Sequence, residues 1–240
     1  MGSFTRRAVT LVLALGCAAA WTDARAGVGG SVAVTSDYVL RGLTQSANQP
    51  SVQGELHWIF PSGWSAGLSA SELRYPPASA SLELGAQLQW RGALSEDLDF
   101  GASAAHYSYP NDPRPVSYDY DELGVSLAWR DQIYASASWI PSVNFRSAVD
   151  GSVTDRQALS FEASWHRNLR PRIDLSAGLG FYDPRGLDYA SYTYGNATLG
   201  WHYGHWRAHL AWIWAQDASH RRYTAGPAGG PLAVTVAWGF

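Results

Sequence analysis

The sequence predicts an all-β fold, a transmembrane antiparallel up-and-down β-barrel of about twelve strands. Three observations carry this. Apolar residues alternate with small or polar ones at period two through most of the chain beyond residue 26. No stretch there approaches the roughly 18 consecutive apolar residues of a membrane-crossing helix. The final stretch sets Leu232, Val234, Val236, Trp238 and Phe240 on one strand face and Ala233, Thr235, Ala237 and Gly239 on the other. Such a strand offers a lipid-facing row, a row of small residues for an interior, and an interfacial aromatic at its end.

Residues 1–26 read as a signal peptide and residues 27–240 as a single barrel domain. Arg6 and Arg7 form the basic start, Ala8 to Ala20 the apolar run, and Ala24-Arg25-Ala26 the cleavage site. Cleavage there leaves 14 arginines and 19 acidic residues, a net charge of −5, which gives no footing for nucleic acid. All 17 basic residues of the full chain are arginine. The one cysteine, Cys17, sits in the apolar run; Ala14 occupies the position where a lipoprotein signal carries leucine. The chain beyond the cleavage site is thiol-free, which suits an oxidising compartment.

The strands follow in order. Val28, Gly30, Val32, Val34, Tyr38 and Leu40 share a face opposite Ala33, Thr35, Asp37 and Arg41. Val52, Leu56, Trp58 and Phe60 oppose Gln53, Glu55 and His57, and Pro61-Ser62-Gly63 turns the chain. Trp64 to Ser71 is the third strand and Arg74 to Ala80 a proline-containing loop. The fourth alternates most cleanly, Leu82, Leu84, Ala86, Leu88 and Trp90 against Glu83, Gly85, Gln87 and Gln89. Leu98 to Ala104 and Leu123 to Trp129 flank a second proline-rich loop, Pro110 to Ser117. Ile133 to Ile140 is followed by Pro141 to Asp155, read as the longest connection. Leu159 to His166, Ile173 to Phe181, Asn196 to Tyr203, and Trp206 to Trp214 complete the set before a second long loop, Gln216 to Gly230.

Connections alternate, very short after the second, sixth and tenth strands, somewhat longer after the fourth and eighth, and long after the first, fifth, seventh and eleventh, as in outer-membrane barrels with turns inside the cell envelope and loops outside. Alternation alone does not say which face is exterior. Trp58, Trp64, Trp90, Trp129, Trp165, Trp201, Trp206, Trp238 and Phe240 gather beside the short turns as an aromatic girdle, the arrangement a membrane interface selects. The opposite face is glycine, serine and alanine with isolated charges, a poor exterior in water. The alternative is a soluble periplasmic or secreted barrel or sandwich.

Thr35-Ser-Asp-Tyr-Val-Leu-Arg-Gly-Leu-Thr-Gln-Ser46, Pro50-Ser-Val-Gln-Gly54 and Ser62-Gly63-Trp64-Ser-Ala-Gly67 resemble the opening of the TorF-type porin family, also described as the Gcw family of Gram-negative bacteria. Leu40 stands where that family usually has Phe, and Ser51 where it has Ala. The resemblance implies an outer-membrane barrel and supplies no catalytic residues.

The interior row expected from parity holds Asp37, Arg41, Gln53, Glu55, Glu83, Gln87, Asp99, Glu122, Glu162, Asp174, Asn196, Arg207 and His209, with His57, His166 and His202 beside them. Carboxylates outnumber arginines there, which predicts a weakly cation-preferring channel for ions or small hydrophilic solutes. The opposing expectation is that these charges pair and fill the barrel, or that a loop such as 141–155 plugs it. Other functions are a non-transporting structural or adhesin-like barrel and an outer-membrane lipid hydrolase. For the hydrolase, His106 and Ser108 share a face, but no orienting Asn is evident. His202-Tyr203-Gly204-His205 is a poor metal motif because its histidines diverge. The expectation is therefore no enzyme, no cofactor and no metal. The partners are outer-membrane lipid, lipopolysaccharide and, through the last strand, the barrel-assembly machinery.

Overall fold

A computed structural model describes residues 27–74, 80–112, 117–146, 152–185, 190–216 and 232–240. Residues 1–26, and most of the loop read over 216–230, lie outside the described residues.

The alternating segments form β1 (Gly27–Thr35), β4 (Ser51–Ile59), β5 (Trp64–Glu72), β6 (Leu82–Ala93), β7 (Leu98–Ser108) and β8 (Tyr120–Trp129). They continue as β9 (Ile133–Arg146), β10 (Val153–Arg170), β11 (Ile173–Asp183), β12 (Tyr192–Tyr203), β13 (Trp206–Ala215) and β14 (Leu232–Gly239). Each pairs antiparallel with its neighbours, and β14 pairs back onto β1 with Val34 opposite Val236, closing a twelve-stranded barrel. Every strand has a neighbour on each side, so backbone groups within the paired registers are satisfied by the sheet.

Parity assigns the faces as expected. Val34 is 52% exposed and Val236 43%, whereas their neighbours on the opposite row, Ala33 and Ala237, are 3% and 4% exposed. The exterior is thus a continuous apolar surface, which lipid solvates and water does not. Five tight connections, each of a few residues between Ile59 and Trp206, lie at one end of the barrel, and the long ones lie at the other. The girdle residues sit at the turn end on the outer face, with Trp64 opposite Trp90 and Trp206 opposite Trp238.

Three expectations need correction. The connections after Ala93 and Arg170 are as short as the other turns, because β6 and β10 run further than their alternation suggests. Pro141 does not end its strand. β9 continues to Arg146 and β10 begins at Val153, with a register shift between Arg156 and Ala158, so residues 141–146 and 153–155 are paired strand and do not fold into the bore.

The third correction is the largest. β1 ends at Thr35, and residues 36–50 do not continue the wall. They fold into the bore as a small hairpin, β2 (Val39–Leu40) and β3 (Leu43–Thr44). Tyr38 and Leu40 therefore leave the outer face predicted for them. Tyr38 is 2% exposed and packs on Leu73 and Ala80, while Val39 packs on Ala211, Ile213 and Ala233. The turn has positive φ at both central residues, Arg41 (50°) and Gly42 (77°), the two-residue form that suits the twist of a hairpin. A β-carbon on Gly42 would meet Tyr194 Cβ at 2.7 Å and Ala215 Cβ at 2.9 Å, so the tip rests directly on the far wall. Gly42→Ala is expected to weaken hairpin docking by about 1–3 kcal/mol. Faster amide exchange confined to residues 38–46, with β4 to β13 unchanged, is the measurement that checks it.

Candidate functional site

The candidate site is the lumen where this hairpin crosses it. Its base is tied to the wall by Ser36, whose N–H donates to the Val234 carbonyl (2.8 Å) and whose hydroxyl accepts from Val234 N–H (2.9 Å). Thr235 donates to the Thr35 hydroxyl at 3.0 Å. Within the hairpin, Thr44 Oγ1 donates to Asp37 Oδ1 at 2.5 Å, and Ser46 Oγ lies 2.9 Å from the same oxygen. Asp37 is thus an internal brace, not a wall residue. Burial raises its carboxyl above the ordinary range, against the pull of the Thr44 and Ser46 hydroxyls.

Two side chains pin the hairpin across the bore. Arg41 reaches β8, where its Nη2 donates to both oxygens of Glu122, at 2.7 and 2.8 Å. The guanidinium also lies over the Tyr182 ring, 5.0 Å from its centre. Tyr38 donates to Glu83 Oε1 (2.9 Å), and Tyr109 donates to Oε2 (3.0 Å). Tyr194 donates to Glu162 beside the hairpin tip. Tyr107 and Tyr120 stack at 4.9 Å in the same layer.

The remaining interior residues lie below this layer, toward the turn end. Asp99 is held by Arg91, which also bonds Asp131, at 2.7 and 2.6 Å. Asp174 lies between His166 and His202, each 3.9 Å away. Glu55 lies 3.5 Å from His57 and within the field of Arg207. Gln87 lies against Gly67, Asn196 faces Gly178, and His209 is paired with Gly200 on β12. Pairing is therefore real for Asp99 and Glu122, while Glu83 and Glu162 are satisfied by tyrosine hydroxyls.

Sequence reasoning missed Arg91, Tyr38, Tyr109 and Tyr194. Arg91 was within reach, since the interior parity of Glu83, Gly85, Gln87 and Gln89 runs straight on to it. The tyrosines carry no such signal, because tyrosine suits either face.

His106 and Ser108 do face outward near the loop end. His106 Nδ1 lies 2.8 Å from Asp121 Oδ1, so a carboxylate on β8 stands where the sequence offered no Asn. The Ser108 hydroxyl makes no hydrogen bond to His106 among the described residues, and the nucleophile-to-base link that acyl transfer needs is not formed. His202 turns inward while His205 bonds the Gly239 carbonyl at 2.8 Å. Among the described residues no three potential ligands gather for a metal ion.

The profile of a bacterial protein family of unknown function, Gcw_chp, matches residues 19–234. The chain belongs to this family. No curated protein matches the sequence. Among solved structures, this Gcw_chp chain is similar to the NanC porin in a rhombohedral crystal form, at 9% identity and a TM-score of 0.58, covering 89% of this chain and 98% of that one. It is also similar to the KdgM porin, at 7% identity and a TM-score of 0.55, with 88% and 99% covered. At such identities the likeness speaks for the barrel fold.

Proposed function

We propose that the chain is an outer-membrane channel of the TorF porin type, passing small hydrophilic solutes or ions through a lumen narrowed by its first long connection. The observation that carries this reading is the inverted surface, an apolar exterior around an interior of glycine, serine, amide and carboxylate groups. On this reading residues 1–26 are removed on export, the turn end faces the periplasm, and the loop end faces outward. Lipid and lipopolysaccharide surround the apolar belt, and the last strand is what the assembly machinery receives.

Selectivity follows from the charges left unpaired by arginine. Glu83, Glu162 and Asp174 bond tyrosine or lie near histidine, while Arg41 and Arg91 are committed to carboxylates. The field in the bore is therefore mildly negative, and a ring of carboxylates favours cations. In planar bilayers under a KCl gradient, the reversal potential is expected to show K+ preferred over Cl−, more strongly at low salt where screening is weak. Absence of current, or preference for Cl−, would overturn the channel as stated.

A further inference from the structure

We infer that the lumen wall beneath the hairpin holds a binding site for a small organic cation rich in N–H or O–H donors, such as a short amino alcohol. The inference rests on the channel reading for the route by which a solute reaches it. The site is a cavity of about 70 Å³ bounded by β1, β4, β5, β6 and β7, with Tyr38 as its roof. A water needs about 10–15 Å³ of such volume, so the cavity takes roughly five waters or a solute of comparable size.

Its charge is one-sided. Gln53, Glu55, Ser69, Ser71, Glu83 and Gln87 contribute to the lining, and no arginine, lysine or histidine does. The Gln53 side-chain oxygen is fully buried and accepts no hydrogen bond. A turn of the Gln53 side chain would bring this acceptor to the donor of a solute in the cavity, which would restore the missing bond. Glu83 takes one hydroxyl on each oxygen, and a carboxylate has room for roughly two more donors.

Two glycines keep these groups in place. A β-carbon on Gly85 would lie 2.4 Å from Ser69 Oγ, and one on Gly67 would press the Gln87 side chain at 3.1 Å. Acceptors therefore converge on the cavity. A cation with several donors satisfies both the amide oxygens and the negative field; a neutral polyol satisfies only the first, and an anion is repelled by the field.

Saturation-transfer NMR titrations on the detergent-solubilised full barrel test this with ethanolamine, glycerol and acetate as probes. Ethanolamine is expected to bind in the millimolar range, glycerol about tenfold more weakly and acetate not measurably. Glu55→Gln and Gln53→Leu should each weaken ethanolamine about tenfold, the effect of losing a charged or buried hydrogen-bond partner. Glu96→Gln, in a turn outside the lumen, should leave it unchanged. Heat-modifiable gel migration confirms that each variant is folded. Equal binding of glycerol and ethanolamine, no ethanolamine binding, or two silent variants would each overturn the site. The assay needs no current. A conducting barrel that ignores ethanolamine defeats the site alone, and a binding barrel without conductance defeats the channel reading alone.

Discussion

Arg41→Ala is expected to release the inner hairpin and raise single-channel conductance severalfold. The Arg41–Glu122 pair is the longest reach the hairpin makes, spanning from the β1 side of the bore to β8, and its side chains are only 12% and 16% exposed. Removing one partner of a buried pair costs about 3 kcal/mol or more, because the other charge stays behind unpaired. The variant also loses the stack on Tyr182, about 1 kcal/mol or less where water reaches the site. What then remains at that end of the hairpin is the tip contact of Gly42 on β12 and β13. Glu122→Gln should give a smaller rise, since the amide oxygen still accepts from Arg41. Arg130→Ala, on the exposed turn where Arg130 pairs with Asp97, should leave conductance unchanged. If Arg41→Ala matches the wild type in both conductance and protease accessibility of residues 38–46, the hairpin is not the constriction.

Deletion of Phe240 is expected to lower the amount of folded barrel in the outer membrane severalfold while export continues. The seam between β1 and β14 has five register pairs, Ser31 with Gly239 through Thr35 with Thr235, against nine between β1 and β4. Phe240 extends this short seam. Its N–H donates to the Gly30 carbonyl and its carbonyl accepts from Gly30 N–H, both at 3.0 Å. Its ring lies over Gly30, where a β-carbon would come within 2.7 Å, and 5.3 Å from the Trp238 ring. Two backbone hydrogen bonds contribute about 1 kcal/mol each, and the ring adds contact at the interface. The deletion should accumulate as unfolded chain that does not shift on heating in gels. Normal levels of heat-modifiable barrel would show that the seam closes without it.

The faces of nearly every strand were legible because a strand has no choice: successive residues point to opposite sides, and an apolar exterior writes that period into the chain. Strand ends were less so. Pro141 read as a breaker, yet it lies in a projecting stretch of β9 where loss of one ladder donor is tolerated. The inner hairpin was the real failure. Thr35 through Arg41 keeps the alternation of a wall strand, so Asp37 and Arg41 read as wall residues with Tyr38 on the lipid side. A usable signal existed in Leu40-Arg41-Gly42-Leu43, where a residue followed by glycine sits between two apolar residues, as in a tight hairpin. Tertiary contact decides the rest. Val39 and Tyr38 are neighbours that both become buried, which a wall strand cannot do and a hairpin inside a tube can. Among the interior residues, charge was readable from parity, but the partners were not. Nothing in the order of residues says that Arg41 crosses the bore to Glu122 or that Arg91 takes Asp99.

The anchoring of the hairpin base also sets an order of events during biogenesis. Ser36 is held by Val234 and Thr35 by Thr235, contacts separated by about 200 residues of chain. Such distant contacts form late, since the intervening loop must first be brought together. Tyr38 and Arg41 can reach Glu83 and Glu122 earlier, across 45 and 81 residues, but the base of the hairpin is fixed only when the final strand docks on the first. Sealing the wall and locking the constriction at its root are therefore one step.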